Sequence, residues 1–125
     1  MLKRAVIIAA LLSASAQAQT LRPLKEMNFY GYPDHDSCGD WTLNRANRGT
    51  RTQALEGWVL GFVTGANFYG SGDGKTGADT NSTGMLAWVD RYCAENPLDD
   101  IVEASVKLVI ELKKRVNMNS PQKSF

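Results

Sequence analysis

Apolar residues recur at intervals of three and four along most of the chain, which is the spacing of one face of an α-helix. The pattern predicts four helices: one that begins after Ser37, and three over residues 50–69, 83–95 and 97–116. Ser37 followed by Asp40 matches a capping box at the start of the first helix. No segment shows the alternation typical of a strand. We therefore predict an all-α fold, a small four-helix bundle.

The second predicted helix carries three glycines four residues apart, Gly57, Gly61 and Gly65. A glycine inside a helix costs up to about 1 kcal/mol relative to alanine, so we expect another backbone to pack closely against this ridge. On this interpretation the second helix is central and the most buried. Gly70 would end it in the left-handed conformation. The tryptophans are expected in the core: Trp41, Trp58 and Trp88.

The fourth predicted helix begins at Pro97, a residue that suits the first helical position. Asp99 and Asp100 would lie in its first turn, where acids favour the helix dipole. Its buried stripe is predicted to be Leu98, Ile101, Val102, Ser105, Val109, Leu112 and Val116. The helical domain then covers residues 37–116, and residues 117–125 form a flexible tail.

The first eighteen residues have the features of a cleaved signal peptide. Lys3 and Arg4 precede a short apolar run, and Ala16-Gln17-Ala18 forms a small-x-small cleavage site. The run is too short to span a bilayer, which needs about 20 apolar residues. We expect an exported protein, periplasmic or secreted, that does not span the membrane. Residues 19–36, with two prolines and no helical period, are expected to form an extended arm.

Export determines how the two cysteines are interpreted. In an oxidising compartment a chain with two cysteines most often pairs them. A Cys38–Cys93 disulfide would link the first and third helices across 55 residues of sequence. A free reactive thiol is the alternative.

Composition argues against several classes of function. Fourteen Lys and Arg against 13 Asp and Glu give a net charge of +1, so no basic field points to nucleic acid. The single histidine, His35, lies between Asp34 and Asp36 and cannot form a two-histidine metal site. No Gly-x-Ser-x-Gly elbow occurs in the mature chain. We expect no catalytic residues, no cofactor and no metal; a small secreted hydrolase is an alternative.

A long polar segment, residues 70–84, separates the second and third helices, and loops of this length are often functional. Four of the residues here and just beyond repeat the oxygen spacing of an EF-hand calcium loop: Asp79, Asn81, Thr83 and Asp90. The alternative is that Asp79, Asn81 or Thr83 caps the next helix. Gly74-Lys75-Thr76 resembles the end of a phosphate-binding loop, but the required first glycine would stand at Tyr69.

Two segments are candidates for contact with a protein partner. Aromatic side chains are favoured at interaction hot spots, and polar loop residues can supply specific contacts. The candidate residues are Phe29, Tyr30 and Tyr32 in the arm and Asp73, Lys75 and Asp79 in the loop. For the aromatic residues the alternative is that they cover the helices as part of the core.

Three stretches of sequence resemble a known group of periplasmic proteins. They are Cys38-Gly39-Asp40-Trp41-Thr42-Leu43, the helix from Gly57 to Gly65, and Tyr92-Cys93-Ala94-Glu95-Asn96-Pro97. They are similar to the periplasmic acid-stress chaperone HdeA, and to the Tai-type immunity proteins of type VI secretion. The longer glycine-rich loop and the three tryptophans depart from HdeA.

The resemblance implies a function in binding other proteins. A Tai-type protein would bind and block a toxin or hydrolase. An HdeA-like chaperone would loosen in acid, through protonation of Asp99 and Asp100 or charging of His35, and expose apolar surface to unfolded clients. The first is our expected function and the second its alternative; a homodimer is left open.

Overall fold

A computed structural model describes residues 24–31, 36–70 and 72–119 of the chain. The predicted signal peptide, Tyr32 and His35 lie outside the described residues. Within these ranges the fold is all-α, as predicted. A short 3-10 turn at Leu24–Glu26 precedes four helices: α1 (Cys38–Asn47), α2 (Thr50–Tyr69), α3 (Ser82–Glu95) and α4 (Ile101–Asn119).

The start of α1 is stabilised by a capping box and by a disulfide to α3. Ser37 and Asp40 form the predicted capping box, and hydrogen bonds from Ser37 lower the pKa of Asp40. Cys38 forms a disulfide with Cys93 of α3, with Cα atoms 4.6 Å apart and both side chains fully buried. The predicted disulfide is therefore confirmed.

The most buried helix is α4, not α2. Seven of its residues are buried, against four in α2. Its buried residues are Ile101, Val102, Ala104, Ser105, Leu108, Val109 and Leu112. Five of them, Ile101, Ala104, Leu108, Val109 and Leu112, form one core with the fully buried Trp41 of α1 and with Leu55, Val59 and Val63 of α2. Trp58 and Trp88 are only partly buried at the edge of this core, which corrects their predicted place inside it.

The predicted packing against the glycine ridge of α2 is wrong. Gly57, Gly61 and Gly65 are exposed, and a Cβ added to any of them would have open space around it. Each glycine follows a buried residue, such as Leu55 or Val59, by two positions. Two positions correspond to about 200° around a helix with 3.6 residues per turn. The glycines therefore face solvent on the side opposite the core.

The start of α4 also differs from the prediction. Pro97–Asp100 forms a turn, and Leu98, predicted to be buried, is 96% exposed. Asp100 is the cap, because its carboxylate accepts a hydrogen bond of 2.6 Å from the backbone N–H of Glu103. Two backbone carbonyls of this turn accept hydrogen bonds from α1. The carbonyl of Pro97 accepts from the N–H of Gly39 at 3.0 Å, and that of Asp99 accepts from the N–H of Cys38 at 2.7 Å. The turn thus satisfies N–H groups that the first turn of α1 would leave unpaired.

The helix ends also correct two predictions. Gly70 follows α2 in an extended conformation (φ −75°), and its N–H donates to the carbonyl of Ala66 at 2.9 Å. The left-handed cap occurs instead at Arg48, after α1 (φ 49°). Helix α4 continues through Asn119, three residues beyond its predicted end at Val116. Val116 is partly buried.

Candidate functional site

The loop between α2 and α3 is exposed to solvent but is attached to the bundle at three points. The side chain of Asn67 in α2 makes a two-way pair with the backbone of Thr76, at 2.9 and 3.1 Å. Asp79 accepts a hydrogen bond of 2.9 Å from Nε of Arg115 in α4. Gly77 is buried in a left-handed conformation (φ 85°). These attachments hold both sides of the loop against α2, α3 and α4.

The tip of the loop is organised by its own backbone. Asp73 accepts a hydrogen bond of 3.0 Å from the N–H of Lys75, which forms an Asx turn. Gly72 and Gly74 take positive φ angles of 136° and 72°, which only glycine adopts without strain. The carbonyl of Lys75 then accepts from Ala78 at 2.9 Å. The loop therefore presents the exposed Lys75 side chain from a defined turn.

Two exposed aromatic residues lie at the base of this loop. Phe68 and Tyr69 end α2 and are 78% and 87% exposed, with ring centroids 4.7 Å apart in an edge-to-face arrangement. The neighbouring Asn67 is paired with Thr76, so the aromatic pair adjoins the anchored part of the loop. The sequence does not predict this exposed pair, because Tyr69 fits the three- and four-residue spacing of apolar residues along α2, which predicts burial. Phe68 does not fit that spacing, and this is the signal in the sequence for an exposed aromatic residue.

The aromatic residues of the arm serve different purposes. The ring of Phe29 is partly buried, 6.5 Å from that of Phe62, so Phe29 covers the bundle. The indole N–H of Trp58 donates to the backbone carbonyl of Tyr30 at 2.9 Å, while the Tyr30 side chain is 82% exposed. Of the arm candidates that the structure describes, only Tyr30 offers an exposed ring.

The residues of the calcium-like pattern serve three separate purposes. Asn81 caps α3 by accepting a hydrogen bond of 2.9 Å from the N–H of Gly84. Asp79 pairs with Arg115, and Asp90 faces α1. No group of three or more His, Cys, Asp or Glu in the described part of the chain is placed to hold a metal ion. The helix-capping alternative is the one that the structure supports.

The most highly connected charged group lies away from the loop and joins three helices. Arg45 of α1 donates two hydrogen bonds to Asp90 of α3, at 2.8 and 2.6 Å, and also pairs with Glu56 of α2. The buried indole of Trp41 donates to the same Asp90 carboxylate at 2.8 Å. Burial opposes ionisation of Asp90, but the hydrogen bonds from Arg45 and Trp41 outweigh it and lower its pKa. These contacts account for the network as part of the bundle's structure.

Two further acidic groups are held by neighbours. Asp99 accepts a hydrogen bond of 2.6 Å from the hydroxyl of Tyr92; burial and this bond both raise the pKa of Tyr92. Asp36 is buried and pairs through one oxygen with Arg51. Its other oxygen accepts no hydrogen bond from the residues that the structure describes.

The fold and these contacts define the class of the molecule as a small, disulfide-linked four-helix protein with an anchored surface loop. No family model, curated protein or solved structure matches the chain. None of the helices described here is long and apolar enough to cross a membrane.

Proposed function

We propose that this chain is an exported, non-catalytic protein of the immunity or inhibitor type, and that it binds its partner through the loop surface. The loop surface consists of Phe68, Tyr69 and residues 72–80. The observation that carries the proposal is that an exposed polar loop is held in one shape by contacts to three helices. A loop that is ordered before binding loses less conformational entropy when a partner is bound.

The composition of the loop surface supports the same proposal. Phe68 and Tyr69 together offer a large exposed apolar area, and such aromatic residues are enriched among the residues that dominate binding energy. Lys75 and Asp73 add polar groups beside them. An exported location is supported by the predicted signal peptide and is compatible with the Cys38–Cys93 disulfide.

The proposal is tested with the products of the genes that neighbour this one. Each product is purified and its binding to this protein is measured by calorimetry, together with any enzymatic activity that it loses on binding. We expect one of them to bind, and Phe68→Ala and Tyr69→Ala each to weaken binding by about tenfold or more. Leu98→Ala is the matched control, since Leu98 is also apolar and exposed but lies in the turn before α4. Equal affinity of all three variants and the unmodified protein would contradict the proposed surface.

We propose an acid-activated chaperone as the second candidate. The supporting observation is that the carboxylate of Asp90 in α3 is paired with Arg45 of α1. Protonation of Asp90 in acid would remove this pair. A chaperone should be dimeric at neutral pH. It should bind a hydrophobic dye at a pH low enough to protonate its carboxylates. A monomer that remains folded and dye-free in acid would exclude this function.

A further inference from the structure

A cleft of about 220 Å³ lies between α3 and α4. Phe68 and Tyr69 do not line it. Leu108 and Leu112, both buried, line it from α4, and the partly buried side chain of Trp88 lines it from α3. Gly84 and Ala87 also line it from α3 and contribute little side-chain volume. Leu108 and Leu112 have almost no exposed surface, so Met85 and Trp88, both partly buried, supply accessible apolar surface of the cleft.

Charged groups of both signs line the same cleft. Arg91 comes from α3, and Glu111 and Arg115 come from α4. Arg115 is already bound to Asp79. Arg91 and Glu111, in contrast, form no ion pair with each other or with any other described residue. Glu111 is partly buried, so an unpaired carboxylate here is incompletely hydrated and would gain from a cationic partner.

We propose that this cleft binds a small apolar zwitterion, of which a free amino acid with an aliphatic side chain is the simplest example. The guanidinium of Arg91 would bind the carboxylate of the ligand, and Glu111 would bind its ammonium group. The side chain of the ligand would contact Met85 and Trp88, the partly exposed apolar residues of the lining.

The test titrates the full chain with three related probes: L-leucine, L-leucinamide, which lacks the carboxylate, and 4-methylpentanoate, which lacks the ammonium group. Binding is measured by calorimetry and by the NMR signal of the Trp88 indole N–H. We expect saturable binding of leucine that shifts the Trp88 signal but not that of the buried Trp41. Each analogue should bind about tenfold more weakly, the loss typical of one charged contact. No saturable shift at Trp88, or equal binding of all three probes, would overturn the proposal.

Charge-removing variants assign the two contacts separately. Glu111→Gln should weaken the binding of leucine about tenfold and leave the affinity for 4-methylpentanoate unchanged, because that probe has no ammonium group. Arg91→Gln should weaken the binding of leucine and leave the affinity for leucinamide unchanged. Glu95→Gln, on the exposed surface of α3, is the matched control and should change neither. Leucine binding that is unaffected by both cleft variants would refute the assignment. This proposal does not depend on the protein-binding function.

Discussion

Replacing Asp90 by alanine should destabilise the bundle more than any other single change at an exposed or partly exposed acidic residue. The carboxylate of Asp90 accepts three hydrogen bonds, one from the indole of Trp41 and two from the guanidinium of Arg45. Both donors belong to α1, whereas Asp90 belongs to α3. The substitution therefore removes the polar contacts between these two helices and leaves the disulfide in place.

The expected loss of stability depends mainly on the buried indole N–H of Trp41. Trp41 is fully buried, and a buried N–H group that loses its acceptor costs about 1–3 kcal/mol. The Arg45–Asp90 pair is partly exposed, with about a third of each side chain accessible, so it contributes at most about 1 kcal/mol. We expect a loss of about 2–3 kcal/mol for Asp90→Ala. Asp90→Asn keeps an acceptor for Trp41 and should lose about 1 kcal/mol.

The assay is urea unfolding at neutral pH, followed by tryptophan fluorescence and far-ultraviolet circular dichroism. A lower midpoint with an unchanged slope reports a change in stability alone. Glu95→Ala is the control, because Glu95 is an exposed acid in the same helix, and it should stay within about 0.5 kcal/mol of the unmodified protein. If Asp90→Ala also stays within that range, the reasoning on the buried indole is wrong.

The same carboxylate should make the stability depend on pH. The pKa of Asp90 is lower in the folded chain than its ordinary value of about 3.9. Its contribution is therefore complete above about pH 5 and is lost as the pH falls through the lowered pKa. The difference in free energy of unfolding between the unmodified protein and Asp90→Asn should shrink steadily from pH 5 to pH 2, measured by urea unfolding at each pH. A constant difference would contradict this assignment.

Three other variants test the packing of the bundle and its loop. The double variant Cys38→Ala/Cys93→Ala should lose about 4 kcal/mol, the chain-entropy value for a 55-residue loop, measured against the oxidised protein by urea unfolding. Gly77→Ala should lose about 1–2 kcal/mol, because Gly77 has a positive φ and its new Cβ would overlap Met85. Gly61→Ala should instead gain about 0.5–1 kcal/mol in thermal or urea unfolding, because this exposed helical glycine has open space around it; a loss there would mean that a neighbour approaches the ridge.

Local features of this protein could be predicted from its sequence because neighbouring residues determine them. The bounds of α2, the capping box at Ser37 and the disulfide agree with the prediction. Helical periodicity and capping depend on residues within about one turn of each other. The two cysteines could be paired because there was only one pairing to choose.

The prediction for the outer face of α2 is wrong although the signal for this face is local. The spacing of Gly57, Gly61 and Gly65 predicts a close contact that the fold does not make. Their offset of two positions from the buried residues already placed them on the solvent side. The start of α4 is different: Pro97 resembles a helix start, but the backbone of its turn is used to bind α1.

The sequence alone determined the number of helices, the all-α fold class and the disulfide between α1 and α3. Tertiary structure decided which helix is most buried, how the loop is anchored, and which groups meet at Asp90. Arg45 and Asp90 are 45 positions apart, and Asp79 and Arg115 are 36 apart. No periodicity connects residues at such separations; they meet only because the helices pack around a shared core. The anchored loop and the cleft beside α4 therefore exist only in the folded chain.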